Sequence, residues 1–563
     1  MSRLTRNGLI LVGLFSMALT ACETADPSTA EYWLPQLQKE TRGAAIMKLR
    51  EMKSKEAVEP MMALYATGKS KPELVAALAE IGDKRAVPTL VAAIADNTEP
   101  KSAQLAAATL KSWKAGKGHG DILVKVIANP KSRKENLYGA LELLAEHPDA
   151  RGTQALLRIL NGDPDLQPIV LNGLAATALG KLREPKAVDG LIRCLWLDDA
   201  LGRNAVNQCR MALNRIGKAA AHAKLMTTLA RKNNVVEKRA RKLRYHQGGA
   251  IEFKMCEMLG DLPDKSSVEA LIKALVKWEE MPVSLQNNKP KMDVFIRSRI
   301  QRVISCATAL AAIGDARAVK PMLGLAGSKE IALEFRNTAV QQLAFLGSDT
   351  AIPGLMKLLK EKAEIGHFAT HGFNLQVAIS IARLLDGKNK RSIKAFEKQL
   401  AKTQKNFVTW IGKLKGMMAK ATKKQQGGLK KDIQYFRQMQ KTYKEVDAAI
   451  AAAKECASNA DCWTKKMGDK SVPVRLMAGY RLAQAKGPDV AKARATFASY
   501  ADDKDLVVRN VILFGLRRVG DKSVIPALKK AQEVDAERVK KKQKQYAGAS
   551  GALGMTIVQL ENR

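Results

Sequence analysis

Six histidines are spread over the 563 residues, and two of them, His367 and His371, stand four apart, where a helix would put both imidazoles on one face. A zinc peptidase helix needs a glutamate between such a pair and a third ligand elsewhere. Here the intervening residues are Phe368-Ala369-Thr370 and no third ligand is evident, so the pair is expected to be structural. The glycine-rich run Gly116-Lys117-Gly118-His119-Gly120-Asp121 lacks the GxxxxGK and following Ser or Thr of a phosphate-cradling loop and reads as a turn. Neither a GxSxG elbow nor a dinucleotide fingerprint occurs. No catalytic residue, metal or cofactor is therefore assigned, and the chain is expected to be non-catalytic.

The cysteines carry more. There are seven, none in a CxxC pair, which argues against a thiolate metal centre. Cys456 and Cys462 lie six apart across a polar stretch and are candidates for a local disulfide. For Cys194, Cys209, Cys256 and Cys306 three pairings stay open beside the alternative of buried free thiols. Cys22 is different in kind. It follows a short basic start (Arg3, Arg6) and an uncharged, mostly apolar run from Leu9 to Leu19, the pattern of a secretion signal. Leu19-Thr20-Ala21-Cys22 resembles the bacterial lipobox, which implies cleavage between Ala21 and Cys22 and lipidation of the Cys22 thiol. Acyl chains at about 0.8 kcal/mol per buried methylene would then hold the chain to a membrane. Glu23 does not match the aspartate of the inner-membrane retention signal, so the outer membrane of the cell envelope is favoured, on its periplasmic side or at the cell surface. An exported chain with six further cysteines suits disulfides.

Charge singles out one more segment. The formal net charge is +39, from 94 basic and 55 acidic residues, which predicts attraction to anionic surfaces. Between Lys388 and Lys444 stand 17 Lys and Arg against Glu397 and Asp432. The apolar residues there keep helical spacing in two stripes, Ile393 to Met417 and Leu429 to Ile450, separated by Gly427-Gly428. Two long antiparallel helices with a glycine tip and basic outer faces are expected. Lys398, Lys402, Lys405, Lys423, Lys424, Lys430 and Lys431 are the candidate contacts for an anionic lipid or polymer. Phe407, Trp410, Tyr435 and Tyr443 among these lysines could stack on bases, but register places Phe407 and Tyr443 in the packing stripe, and nucleic acid ranks last as a partner.

The elements that must carry these residues repeat. The stretch Ile81 to Ile94, with Gly82-Asp83 closing one helix and Val87, Pro88 and Leu90 opening the next, returns at Gly314-Asp315 with Pro321, at Gly347 with Pro353 and at Gly520-Asp521 with Pro526. Weaker copies lie at Ala187-Val188-Leu191 and at Gly260-Asp261 with Val268. A second half-signature, Asp505, Val508, Arg509 and Leu516, recurs loosely from Asp469 through Arg475 to Leu482. Together these resemble the short bacterial HEAT repeats also called PBS-lyase HEAT-like. The resemblance implies an all-α solenoid with an extended concave surface, and hydrogen bonds between neighbouring repeats for Asp505 and Arg509. Some relatives attach bilin chromophores, which leaves a bilin lyase-like enzyme as a minor alternative that suits an exported basic chain poorly.

The organisation expected is a signal peptide at 1–21, a tether at 22–31, HEAT-like repeats at 32–387, a basic helical hairpin at 388–456, further repeats at 457–532 and a basic tail at 533–563. Two prolines and polar filler between Val276 and Ile300 suggest a long loop on one edge, and Lys238, Arg239, Arg241, Lys242 and Arg244 form a second basic cluster. The function this implies is a lipid-anchored envelope scaffold holding an unidentified envelope protein. The alternative is a structural protein that binds a polyanion or membrane surface.

Overall fold

The computed structural model describes residues 26–199, 201–242, 249–277, 280–361, 364–387 and 389–562. Cys22, Ala21 and the rest of 1–25 lie outside the described residues, as do Arg244, Trp278, Glu279 and Lys388. Among the described residues every regular element is a helix, apart from one bridge between Asp198 and Asn204. The helices form two compact units, residues 26–182 with Asp198–Asn204, and Arg183–Leu197 with the chain from Ala205 onward. Both are stacks of HEAT-like helical hairpins, so the all-α solenoid expected from the repeats is what the chain builds.

The recurring joint works through short-range chemistry. Gly82, Gly314 and Gly347 take φ of +82°, +72° and +79°, the left-handed turn that ends the first helix of each hairpin. The next helix is entered through a single 3-10 turn, whose free amide is capped by a carboxylate. Asp83 accepts from Arg85 N at 2.9 Å, Asp315 from Arg317 N at 3.0 Å and Asp521 from Ser523 N at 2.9 Å. Pro88, Pro353 and Pro526 then occupy the first turn, where no amide is needed. One weak copy was misplaced by three residues. Gly260-Asp261 lies inside a helix, and the cap is Asp264, which accepts from Ser266 N at 2.9 Å.

In the first unit α1 (Arg42–Glu51), α2 (Lys71–Ile81), α4 (Pro100–Ser112), α5 (Lys134–Glu146) and α7 (Ile169–Leu182) pack side by side in one row. Helices such as α3 (Val87–Ala95) and α6 (Thr153–Leu160) make the other row. Small residues set the close spacing: a Cβ on Gly139 of α5 would meet the Ala103 carbonyl of α4 at 3.0 Å. In two hairpins a buried asparagine satisfies carbonyls left over at the preceding helix end. Asn136 of α5 donates to Ile94 O at 2.8 Å, and Asn172 of α7 donates to Leu160 O at 3.0 Å.

The second unit keeps this device, with the buried Asn374 donating to Glu361 O at 3.1 Å, and adds arginine as a donor. Its helices include α8 (Val188–Cys194), α9 (Val206–Ile216), α10 (Ala250–Asp261), α11 (Lys289–Ile313), α12 (Leu333–Leu346), α13 (Phe368–Leu384), α14 (Lys390–Ala419), α15 (Lys423–Cys456), α16 (Ala460–Lys466), α17 (Val472–Leu482), α18 (Leu506–Val519), α19 (Ile525–Lys540) and α20 (Gln545–Leu560), with further helices between them. Arg336 of α12 donates to Ala326 O at 2.7 Å, Arg475 of α17 to Asp469 O at 3.0 Å and Arg509 of α18 to Asp503 O at 3.2 Å. The same arginines also reach forward: Arg475 pairs with Asp503 and Arg509 with Asp535. Arg509 thus bonds between repeats as the resemblance implied. Asp505 does not, because its carboxylate is taken by Val507 N and Val508 N at the start of its own helix.

Four further expectations need correction. The long loop expected before Ile300 is interrupted by a helical turn at Val283–Gln286 and ends there, because Asn288 caps α11 and Pro290 sits in its first turn. The arm turns at Lys420–Thr422, since Thr422 and Gln425 form a reciprocal capping box that starts α15, so Gly427 and Gly428 are helical. The segment after Glu533 is no separate tail: α19 runs to Lys540 and packs on α20. Finally, among the described residues the row of the second unit does not stay open as an extended solenoid face but returns to its start. Successive row helices α9, α10, α11, α12, α13, α15, α17, α18 and α20 lead round until α20 packs against α9, with Asn562 donating to Asn214 O. Across this ring Phe345 of α12 lies 4.6 Å from both Tyr480 and Phe514. Arg518 donates to Phe345 O at 3.2 Å and Arg481 to Leu384 O at 2.9 Å. Aromatic surface and unpaired helix-end carbonyls on one side are thus covered by the other side rather than by water.

Candidate functional site

Among the described residues α14 and α15 are the longest helices, 30 and 34 residues, and lie antiparallel. Ile393, Phe396, Leu400, Phe407 and Leu414 of α14 bury against Ile433, Phe436, Met439, Tyr443 and Val446 of α15. An aromatic cluster fastens the pair to α13. His371 of α13 lies 4.8 Å from Trp410, 5.3 Å from Phe436 and 5.9 Å from Phe407, while Phe368 lies 4.9 Å from Tyr435, whose hydroxyl donates to Phe368 O at 3.0 Å. All four aromatics that could have stacked on bases are therefore engaged in packing. At the foot of the arm Cys456 is bonded to Cys462, which ties α15 to α16.

The cations take the opposite faces. On α14, Arg391, Lys394, Lys398, Lys402, Lys405, Lys413 and Lys420 fall within about 100° of arc at 100° per residue, roughly opposite the buried line. On α15, Lys423, Lys430, Arg437, Lys441 and Lys444 fall within about 60° and extend for roughly 32 Å. From Lys390 to Lys444 all sixteen described Lys and Arg are exposed, and none has a carboxylate within ion-pair distance. The seven lysines singled out from sequence are among them. The other nine, including Lys413, Lys415 and Lys441, are exposed in the same way, and only the helix geometry shows which of them share a face. Elsewhere basic residues are widely spent on neighbours, as in Lys111–Glu142 and Lys71–Asp96 at 2.9 and 2.6 Å. From Lys398 to Lys431 there is no acidic residue at all. In the upstream basic cluster Arg239 donates to Trp196 O at 3.3 Å and so serves the fold.

The histidine pair is structural. His371 is buried, its Nε2 lies 2.8 Å from Glu364 O, and burial pushes its pKa below the usual value. His367 uses Nδ1 to accept from Glu364 N at 3.4 Å, so the two rings do not converge on a metal position. Among the described residues the one cluster of metal-type ligand atoms is Glu455 with Cys456 and Cys462, whose sulfurs are joined to each other. His222 Nε2 and Ser267 Oγ approach to 2.8 Å, with Ser267 fully buried. Cys194 is bonded to Cys209, and Cys256 to Cys306.

Two cavities open in the second unit. One of about 280 Å³ lies between α13, α15 and α17, lined mainly by Ile379, Val446, Leu476 and Met477, with Arg383 and Glu445 beside them. Arg383 is turned onto Tyr480, donating to its hydroxyl at 2.9 Å. The other, about 210 Å³, lies inside the ring beside Arg210, Glu257, Asp261 and Arg517. There Arg210 grips Asp261 with two bonds of 2.5 and 2.9 Å. Burial raises the Glu257 pKa and lowers that of Arg517.

Residues 73–96 match the PBS lyase HEAT-like repeat. That stretch is α2, its capped turn and α3, the hairpin that contains Ile81 to Ile94. None of the curated proteins compared matches the chain. Solved structures similar to it include the karyopherin Kap121p bound to the SUMO protease Ulp1p, at 11% identity over 98% of this chain and 76% of that one, with a TM-score of 0.28. Importin beta matches at 11% identity over 90% and 79%, also with a TM-score of 0.28. An engineered protein matches at 16% identity over 84% and 98%, with a TM-score of 0.20. Among the described residues no helix is long and apolar enough to cross a membrane.

Proposed function

We propose that the chain is a non-catalytic scaffold of the bacterial cell envelope, exported and held to a membrane through a lipidated Cys22, that offers one row of its helices to a protein partner. The observation that carries this reading is the unequal fate of that row. In the second unit the row closes on itself, although Val507 of α18 stays 57% exposed, whereas the row of the first unit leaves Met47, Leu105 and Val170 exposed to 52%, 43% and 45% on three of its five helices. Exposed aliphatic positions rimmed by ion pairs such as Lys111–Glu142 and Lys181–Glu146 are the composition of a protein-binding face. Three disulfides joining all six described cysteines support an oxidising compartment.

The test is capture from envelope extract by the full chain and by Leu105→Asp with Val170→Asp, at low and moderate salt. A partner retained at moderate salt by the wild type and lost by the variant supports the reading. The arm favours a second one, binding of an anionic lipid or polymer, because its sixteen cations are exposed and without carboxylate partners. Capture that ignores the two aspartates and collapses as salt rises would replace the first reading by the second.

A further inference from the structure

The far end of the arm, from Ile411 to Asp432, extends past the aromatic contacts that hold α14 and α15 to α13. The last of these are made by Trp410 and Tyr435. About ten residues on each helix lie beyond them, a finger of roughly 15 Å. Within it Leu414 alone is buried. Seven lysines between Lys413 and Lys431 surround it, and its one acid, Asp432, sits at its base.

Two features of the finger are not explained by solubility or by binding a polyanion in water. Met417 is 56% exposed and Met418 part-exposed close to the turn, with Leu429 part-exposed on the other helix and Ile411 at the base. In addition Gly412, Gly416, Gly427 and Gly428 all lie inside helices, none at positive φ, and a Cβ on any of them would meet nothing within 4 Å. Each of these glycines weakens a helix relative to alanine, and no packing contact or positive φ accounts for it. What they provide is bare backbone that a headgroup could approach closely. Flexible apolar side chains at a tip, ringed by lysines whose stems can reach outward, match the composition of a segment that lies at a lipid interface.

We infer that this finger docks on an acidic phospholipid bilayer, its lysines on the headgroup phosphates and Met417, Met418 and Leu429 at the acyl boundary. The inference rests on the arm being the anion-binding element, and it names the bilayer over a soluble polymer as the partner. The molecule would then touch its membrane at two places, Cys22 and the finger.

The experiment is flotation of the full chain with vesicles of phosphatidylcholine alone and of equal parts phosphatidylglycerol and phosphatidylcholine. An acyl anchor acts on both alike, so loss of binding to the first with preference for the second intact would count against the anchor and not the finger. The wild type should prefer the acidic vesicles. Each Lys→Gln change among Lys413, Lys420, Lys423 and Lys430 should lower that preference about fivefold, equivalent to ~1 kcal/mol per cation at an anionic surface. Met417→Gln with Met418→Gln should lower binding to the acidic vesicles about tenfold and leave binding to soluble polyphosphate unchanged. All these side chains are exposed or half-exposed, so unchanged thermal melting of each variant shows that it is folded. No preference for acidic vesicles, or a preference untouched by the methionine changes while lysine changes abolish polyphosphate binding, overturns the inference.

Discussion

The Arg509 guanidinium donates to the Asp535 carboxylate at 2.5 Å with both side chains buried, and Arg538 donates to the other carboxylate oxygen at 3.2 Å. Arg509 also holds Asp503 O, so one side chain closes the end of its own hairpin and clamps the next. Removing one partner leaves a buried charge uncompensated, which costs about 3–5 kcal/mol, whereas replacing both by apolar groups costs much less. Asp535→Ala should therefore lower unfolding stability in urea by that amount, and Arg509→Met with Asp535→Leu should recover most of it. Equal losses in the single and double variants would show that the pair is not what joins these hairpins.

The three disulfides should differ in what they contribute. Cys256–Cys306 spans 50 residues and joins α10 to α11, whereas Cys456–Cys462 spans six. In the chain-entropy account these correspond to about 4 and about 2 kcal/mol. Without reductant the folded chain should show no reactive thiol among these six cysteines by mass-spectrometric labelling. Reductant should lower the melting temperature, and Cys256→Ser with Cys306→Ser should account for more of the loss than the pair at the arm's foot. A full complement of free thiols in the native protein would also remove a support for export.

What could be read from sequence was the chemistry that acts within a few residues. Gly82, Asp83 and Pro88 declare the joint because a left-handed cap, a carboxylate on a free amide and a proline without one are all local needs. The periodic stripes of α14 and α15 likewise declare their seam. Errors arose where two local signals competed. Asp264 and not Asp261 caps its turn, and Thr422 starts α15 although Gly427-Gly428 looked like the break. The ring was illegible because its contacts join residues far apart in sequence, Arg518 with Phe345 across 173 positions and Asn562 with Asn214 across 348. Nothing in a repeat signature says whether a stack of hairpins ends in solvent or returns to its start.

Phe345, held between Tyr480 and Phe514, tests whether that closure is energetically significant. The ring is half-buried, so Phe345→Ala should cost about 2 kcal/mol, less than a fully buried phenylalanine. Its signature is where protection falls. Amide hydrogen exchange should rise in α12, α17 and α18 together while the hairpins of the first unit keep theirs. A uniform loss across both units would mean that closure and hairpin stability cannot be separated.

The seat of the arm should respond to pH through His371. Burial lowers its folded pKa below its unfolded value near 6.5, so the ring is neutral in the fold. Above about pH 6.5 neither state binds the proton and no stability is lost. As pH falls through 6.5 the unfolded state takes up a proton that the folded state resists, and stability declines until the folded pKa is reached. Trp410 lies 4.8 Å from the imidazole, so the arm should loosen from α13 between pH 7 and pH 5, seen as faster exchange at Tyr435 and Trp410. His371→Phe keeps an aromatic ring in the cluster and has no proton to gain, although it gives up the bond to Glu364 O. It should abolish this pH dependence, and a dependence that persists in the variant would place the titrating group elsewhere.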